Sequence, residues 1–257
     1  MKVIQLFLPL QIAQVQFVTA FPAQESLLSR LDTVLNKLSK ALNGQRINPK
    51  VSSHNAPAEI PRSLIIAQNT FVQVALNRIE MRLSPPEHVS GSVDASVKYF
   101  GDVLKGLFGE MLTVAPRADW VGAVLTVQYP TRHAKTAIQA VHPAFKKLLT
   151  IPDPGDNLSA FHFMYGVRHG DHFKHITVQG YHTSEFQADI KPGEVVNIPL
   201  EQATIKEVGL QLLLDVNNKP SPTKQGTSEE FMKVLSALQD YARTAPNELG
   251  LDIILNQ

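Results

Sequence analysis

The chain has 257 residues, 44% hydrophobic and 18% charged, enough to bury one large core or two small ones and too apolar to stay disordered. Lys and Arg number 24 against 23 Asp and Glu, a formal charge of +1 that argues against a protein built chiefly to neutralise a nucleic-acid backbone. Without cysteine there is no disulfide, thiolate zinc site or cysteine nucleophile, so the redox compartment is not written in the sequence.

The opening MKVIQLFLPLQIAQVQFVTAFPA imitates a secretory signal, with Lys2, an apolar stretch and small residues at its end. Gln5, Gln11, Gln14 and Gln16 interrupt the run and Pro9 sits inside it. Ala13, Val15 and Phe17 alternate with the glutamines at the period of a strand, so a strand is expected rather than a leader or a membrane span. The expected compartment is therefore the cytoplasm. After Pro22, Leu28, Leu31, Leu35, Leu38 and Leu42 recur at steps of three and four, predicting an amphipathic helix that ends near Gly44 and packs on a sheet rather than on a second copy. Residues 45–62 read as an exposed connection.

Ser63 to Leu83 reads as a hairpin turning near Asn69 and Thr70. In its second arm Val72, Val74 and Leu76 share one parity and Ile79, Met81 and Leu83 the other, which predicts a bulge near Asn77 and Arg78. Val93, Val97, Phe100, Leu104, Leu107 and Met111 trace a second helix, capped by Ser90 or Ser92 and ended before Pro116. Trp120 to Tyr129 is almost continuously apolar, as in a central strand covered on both faces. Ala134, Ile138, Val141, Phe145 and Leu148 mark a third helix that Pro143 is expected to kink or split. Thr150 to Asn157 is turn chemistry and the best internal boundary.

Downstream, Leu158 to His182 reads as a second hairpin, Ala203 to Val216 as a strand and Asn217 to Gly226 as a polar loop. Thr227 with Glu230 forms a capping box before a helix with Phe231, Val234, Leu235, Leu238 and Tyr241 on its buried side. Hairpins mixed with helices, without steady βαβ alternation, predict an α+β fold with a largely antiparallel sheet. Two α+β halves, 1–150 and 151–257, are expected, either separate or continuous.

The densest polar stretch, FHFMYGVRHGDHFKHITVQGYH, folds best about the two-residue turn Gly170-Asp171. That register sets His169 opposite His172, Tyr165 opposite Ile176 and Phe163 opposite Val178. It puts Phe163, Tyr165, Ile176 and Val178 on an apolar face, with His162, Met164, His175 and Gln179 on the other. His169, Asp171 and His172 at the tip have the chemistry of transition-metal ligands, but only two imidazoles converge where catalytic zinc takes three protein ligands. No metal or other cofactor is therefore expected. General acid–base work, such as metal-independent RNA cleavage, would fall to His169 and His172 with Lys174 and Arg168. A solvated hairpin tip is the blander reading and the favoured one.

Other templates fail on inspection: no phosphate-binding loop, dinucleotide fingerprint, zincin helix or nucleophile elbow is present. Gly101, Gly106 and Gly109 suit close helix packing, because their N–H groups are committed to the helix. Asp153 and Asp156 imitate an acidic dyad, but no adjoining strand supplies a matching acid and lysine. Arg62, Arg78, Arg82, Lys98 and Lys105 lie on polar faces without interleaved aromatics, leaving nucleic-acid binding without support.

Pro9-Leu10 leading into QIAQVQF, the hairpin IPRSLIIAQNTFVQVALNRI, the strand WVGAVLTVQY, and LQLLLDV followed by a polar loop and a capped helix together resemble a sporadically distributed family of uncharacterised bacterial proteins of about this size. Gln14 stands where that family usually has an acidic residue, and Thr126-Val127 where it has an Arg-Tyr pair. The resemblance implies association with mobile-element or defence genes and brings no catalytic residues. The expected function is a non-enzymatic subunit binding another, unidentified protein, with an RNA-processing enzyme or RNA-binding factor acting through His169 and His172 as the alternative.

Overall fold

A computed structural model describes residues 7–49, 56–115, 117–155, 158–185, 204–219 and 228–255. Among these, nine strands form one sheet in the order β2-β3-β4-β5-β1-β6-β9-β8-β7, antiparallel at every neighbouring pair. The strands are β1 (Gln11–Ala20), β2 (Gln45–Ile47), β3 (Ser63–Ile66), β4 (Thr70–Val74), β5 (Arg78–Leu83), β6 (Trp120–Pro130), β7 (His162–His169), β8 (His172–Glu185) and β9 (Thr204–Asn217). The helices are α1 (Leu27–Ala41), α2 (Glu87–Ser90), α3 (Val93–Val114), α4 (Ala137–Leu148), α5 (Ser228–Glu248) and α6 (Asp252–Leu255). The fold is α+β. No helix among the described residues is long and apolar enough to cross a membrane.

One parity of each long strand enters a common core with the helices. Val15 and Phe17 of β1, Ile79, Met81 and Leu83 of β5, Val121 to Val127 of β6 on odd numbers, Ile176 and Val178 of β8, and Leu210 to Val216 of β9 on even numbers are all buried. Leu31, Leu35, Phe100, Leu104, Val141, Phe231, Leu235 and Leu238 complete that core from the helices. The Phe17 and Phe231 rings lie 4.5 Å apart, joining the middle of the sheet to α5. Leu31, Leu35 and Leu38 of the predicted stripe on α1 are buried, with Leu27 added and Leu28 and Leu42 only partly covered, in a core that α1 shares with β2, β3 and α3.

Several expectations change. Residues 45–62 are not wholly connection, since Gln45–Ile47 pairs with β3 as an edge strand; polar flanks and three residues of length hide it. The parity switch after Leu76 is a second turn and not a bulge: the Ala75 N–H donates to the Arg78 carbonyl at 2.9 Å, and β4 and β5 pair as separate strands. Strand β6 is central, but the described helices cover only one of its faces, and Val124, Thr126 and Gln128 on the other are half-buried. Helix α4 continues through Pro143 without splitting. Ser92, rather than Ser90, caps α3, its hydroxyl accepting from the Ala95 N–H. Thr227 of the capping box lies outside the described residues.

The connections repeat. From β1 the chain crosses by α1 to the sheet edge and returns through the meander β2-β3-β4-β5 to lie beside β1. From β6 it crosses by α4 to the opposite edge and returns through β7-β8-β9 to lie beside β6. A long helix follows each return, α3 and then α5, and the two pack so closely at Gly101 that a Cβ added there would lie 3.6 Å from Leu235 Cδ2. Asp94 of α3 accepts from Gln239 and Arg243 of α5 at 3.0 and 2.7 Å. The 150/151 boundary falls inside the second circuit, between α4 and β7.

Gly180 lies under the start of α4, where an added Cβ would overlap the Ala137 carbonyl. Gly180→Ala is therefore expected to lift α4 off β8 and cost about 1–3 kcal/mol, seen as a lowered urea midpoint at unchanged slope.

Candidate functional site

Side chains of the second parity point to the sheet face on which none of the described helices packs. Register sorts them into rows. His162, Gln179, Gln211 and Gln128 succeed one another across β7, β8, β9 and β6, and Gln128 Nε2 donates to Gln211 Oε1 at 3.0 Å. Met164, Thr177, Leu213, Thr126 and Gln14 form the next row. The third runs Gly166, His175, Asp215, Val124, Gln16, Arg82 and Phe71, crossing from β7 to β4.

Within that third row the His175 ring lies across the bare backbone of Gly166, in the space a Cβ there would occupy. Its Nδ1 is 3.5 Å from Asp215 Oδ2, and Phe173 stacks beside it at 5.9 Å. Farther along the face Arg82 Nε donates to the buried Glu80 at 2.6 Å while its guanidinium sits 5.7 Å over Phe71. Tyr181, on β8 beside Gly209, donates its hydroxyl to Glu207 at 2.8 Å. Burial first, and then the Glu207 carboxylate, push that hydroxyl well above the ordinary tyrosine range. The surface is rich in amides and broken by isolated apolar and aromatic groups, with its charges mostly paired.

The hairpin register is the expected one: His169 faces His172, Tyr165 faces Ile176 and Phe163 faces Val178. Burial is uneven along its apolar face. Ile176 and Val178 are buried, whereas Tyr165 is 45% exposed at the sheet edge and Phe163 only half-buried. His169, His172 and Lys174 share the helix side of the sheet by alternation, and the Lys174 ammonium lies 5.5 Å over the Tyr241 ring of α5. Arg168 falls on the opposite side, its Nε 3.4 Å from the Gly170 carbonyl. Asp171 is exposed in the turn. Among the described residues no three or more His, Asp or Glu gather where they could hold a metal, and this includes His169, Asp171 and His172. His162 and His175 point to the uncovered face, so the imidazoles of this segment divide between two sides of the sheet.

A cleft of about 720 Å³ opens elsewhere, at the end of the helix layer, between Leu10, Val93, Asp94, Tyr129, Arg243 and Leu255. Burial pushes the Tyr129 hydroxyl up to about 12, keeping it neutral. None of the hairpin-tip residues lines this cleft.

Sequence reasoning missed one ionic cluster. Asp153 accepts from Lys146 Nζ at 2.7 Å, from the Gly155 N–H at 2.9 Å and from His142 Nε2 at 2.7 Å, fastening the PDPG turn to α4. A lysine and a histidine four apart on a helix, followed by a turn acid, were the available signal. Asp156 lies outside the described residues. No family model matches the chain, and no curated protein matches it either.

The Lys146 ammonium, with the Gly155 N–H and His142, holds the Asp153 carboxyl well below the usual carboxylate range. A depressed folded pKa contributes stability that is complete above the unfolded value, about 4, and is lost as pH falls from there through the folded value. Asp153→Asn is expected to lower the thermal midpoint at about pH 5 and above, with the gap to wild type closing as the pH is taken below about 4. A pH series of thermal melts measures it.

Proposed function

We propose that this chain is a non-enzymatic, protein-binding subunit of a bacterial complex in the cytoplasm, and that its contact surface is the uncovered side of the sheet together with the β7 edge. One observation carries the reading: the helices among the described residues lie on a single side of a nine-stranded sheet, so that no described helix covers the rows around Gln211, Leu213 and Asp215. A protein surface suits those rows better than a nucleic-acid backbone. Arg82 is held by Glu80, and His175 stands beside Asp215, so few cations remain to meet phosphates. Met164, Tyr165 and Arg168 at the edge are residue types enriched at protein interfaces.

Purification from the native host at moderate salt is expected to retain a stoichiometric protein. Leu213→Arg, which places a charge in the middle of the uncovered side, should release that protein, whereas His169→Ala with His172→Ala should retain it. A monodisperse, partner-free monomer would overturn the reading. So would an RNA-cleaving activity that the double alanine variant abolishes, since that outcome assigns His169 and His172 an acid–base role.

A further inference from the structure

The two edges of the sheet are built differently. At one end β2 has three residues, too short to template another strand. At the other, β7 pairs with β8 over eight residues without a bulge, contains no proline or lysine, and has no described strand on its outer side. Short length, lysine, proline and bulges are among the devices that blunt an exposed edge, and β7 carries none of these four, although Arg168 places one charge near its end.

The turn fixes which backbone groups face outward. Gly170 has φ +59° and Asp171 follows as the second residue of a two-residue turn, so His169 and His172 close the hairpin as a hydrogen-bonded pair. Counting back by twos, Val167, Tyr165 and Phe163 aim their N–H and C=O groups at β8. Arg168, Gly166, Met164 and His162 aim theirs away from the sheet.

Side chains along this edge set the chemistry of what fits. Met164, 64% exposed, and Arg168 stand on the uncovered side, while Tyr165 and His169 stand on the helix side. The strand holds one arginine and two histidines and no carboxylate, and the nearest acid in the hairpin, Asp171, sits in the turn. Two copies of β7 paired antiparallel would set Arg168 and His169 of one against His162 of the other, with no acid between them. Charge complementarity therefore favours a different, acidic strand.

We propose that β7 binds an extended, acidic segment of a partner protein as a tenth antiparallel strand, with carboxylates beside Arg168 and apolar side chains beside Tyr165. This rests on the protein-binding reading above and names the kind of partner segment involved.

The test uses the full chain and a labelled peptide of alternating valine and glutamate, about eight residues long to match β7, with a valine–lysine peptide of equal length as its counterpart. Fluorescence anisotropy is expected to show the glutamate peptide binding roughly tenfold more tightly than the lysine peptide. Met164→Pro removes one outward N–H without touching the β8 ladder, and should weaken binding roughly tenfold at an unchanged urea midpoint. Arg168→Glu should reverse the preference between the peptides, which keeps the test open if the proline variant fails to fold. Hydrogen exchange at Met164, Gly166 and Arg168 should slow only when the glutamate peptide is present.

Absence of binding, or binding indifferent to both variants, overturns the proposal. It is equally overturned if those amides are already protected in the free chain, by a segment of the same chain when protection is independent of concentration and by a second copy when it rises with concentration. If the native partner survives Met164→Pro but is lost in Leu213→Arg, strand addition fails while the protein-binding reading stands.

Discussion

The structure depends on one constraint: apolar side chains of a single parity, on strands from both halves of the chain, must be buried together beneath one layer of helices. A one-residue slip in any long strand would turn its buried set outward, so the helix layer enforces register across the sheet. Val15, Met81, Leu125, Leu212 and Val178 meet the same core although they come from five strands. What the opposite parity carries is placed by the same registration. The row of His162, Gln179, Gln211 and Gln128 is therefore a consequence of packing on the far side of the sheet, with no local signal of its own.

The two circuits around the β1–β6 pair explain why the edges differ. Each circuit leaves the centre by a helix and comes back as a meander, so each edge is formed by the first strand after a crossover. In the first circuit that strand is β2, anchored by Arg46, whose guanidinium bonds Asp32 and Asn36 of α1 at 2.7 and 2.6 Å. A short strand fastened to its own crossover helix ends the sheet. In the second circuit the hairpin partner β8 is long and is held between β7 and β9 over Phe173 to Gln179, which supports a long β7 with no second neighbour among the described strands. The same topology thus ends the described sheet in a short strand on one side and a long one on the other.

Local chemistry made much of this legible in the sequence. Leucines at steps of three and four gave α1 because only one helical face needs burial, and Gly170-Asp171 set the register of β7 and β8 because few residues tolerate a left-handed turn position. Where turn chemistry was weak, reading failed. Ala75, Leu76 and Asn77 reverse the chain without glycine or proline, so a tight turn looked like a bulge. Strand β2 escaped notice because Gln45 and Arg46 carry no alternation. Which side of β6 lies uncovered depends on strand order, a long-range property, and so the rows on that side could not be read from any one segment. The Asp153 cluster was hidden for a related reason, since its partners sit on a helix and in the turn that follows it.

The distribution of imidazoles bears on the choice between catalysis and binding. Acid–base chemistry needs its groups to converge on one reacting atom, within hydrogen-bond reach of it. Alternation instead sends His169 and His172 to the helix side and His162 and His175 to the other, with the sheet between them. Lys174, the cation best placed to assist the tip, already lies over the Tyr241 ring, and Arg168 is on the wrong side of the strand to join it. A binding surface asks for the opposite arrangement, groups spread over one plane with their charges largely settled within it. The His175–Asp215 and Arg82–Glu80 pairs meet that requirement, since a surface that has settled its own charges loses less when a partner displaces its water.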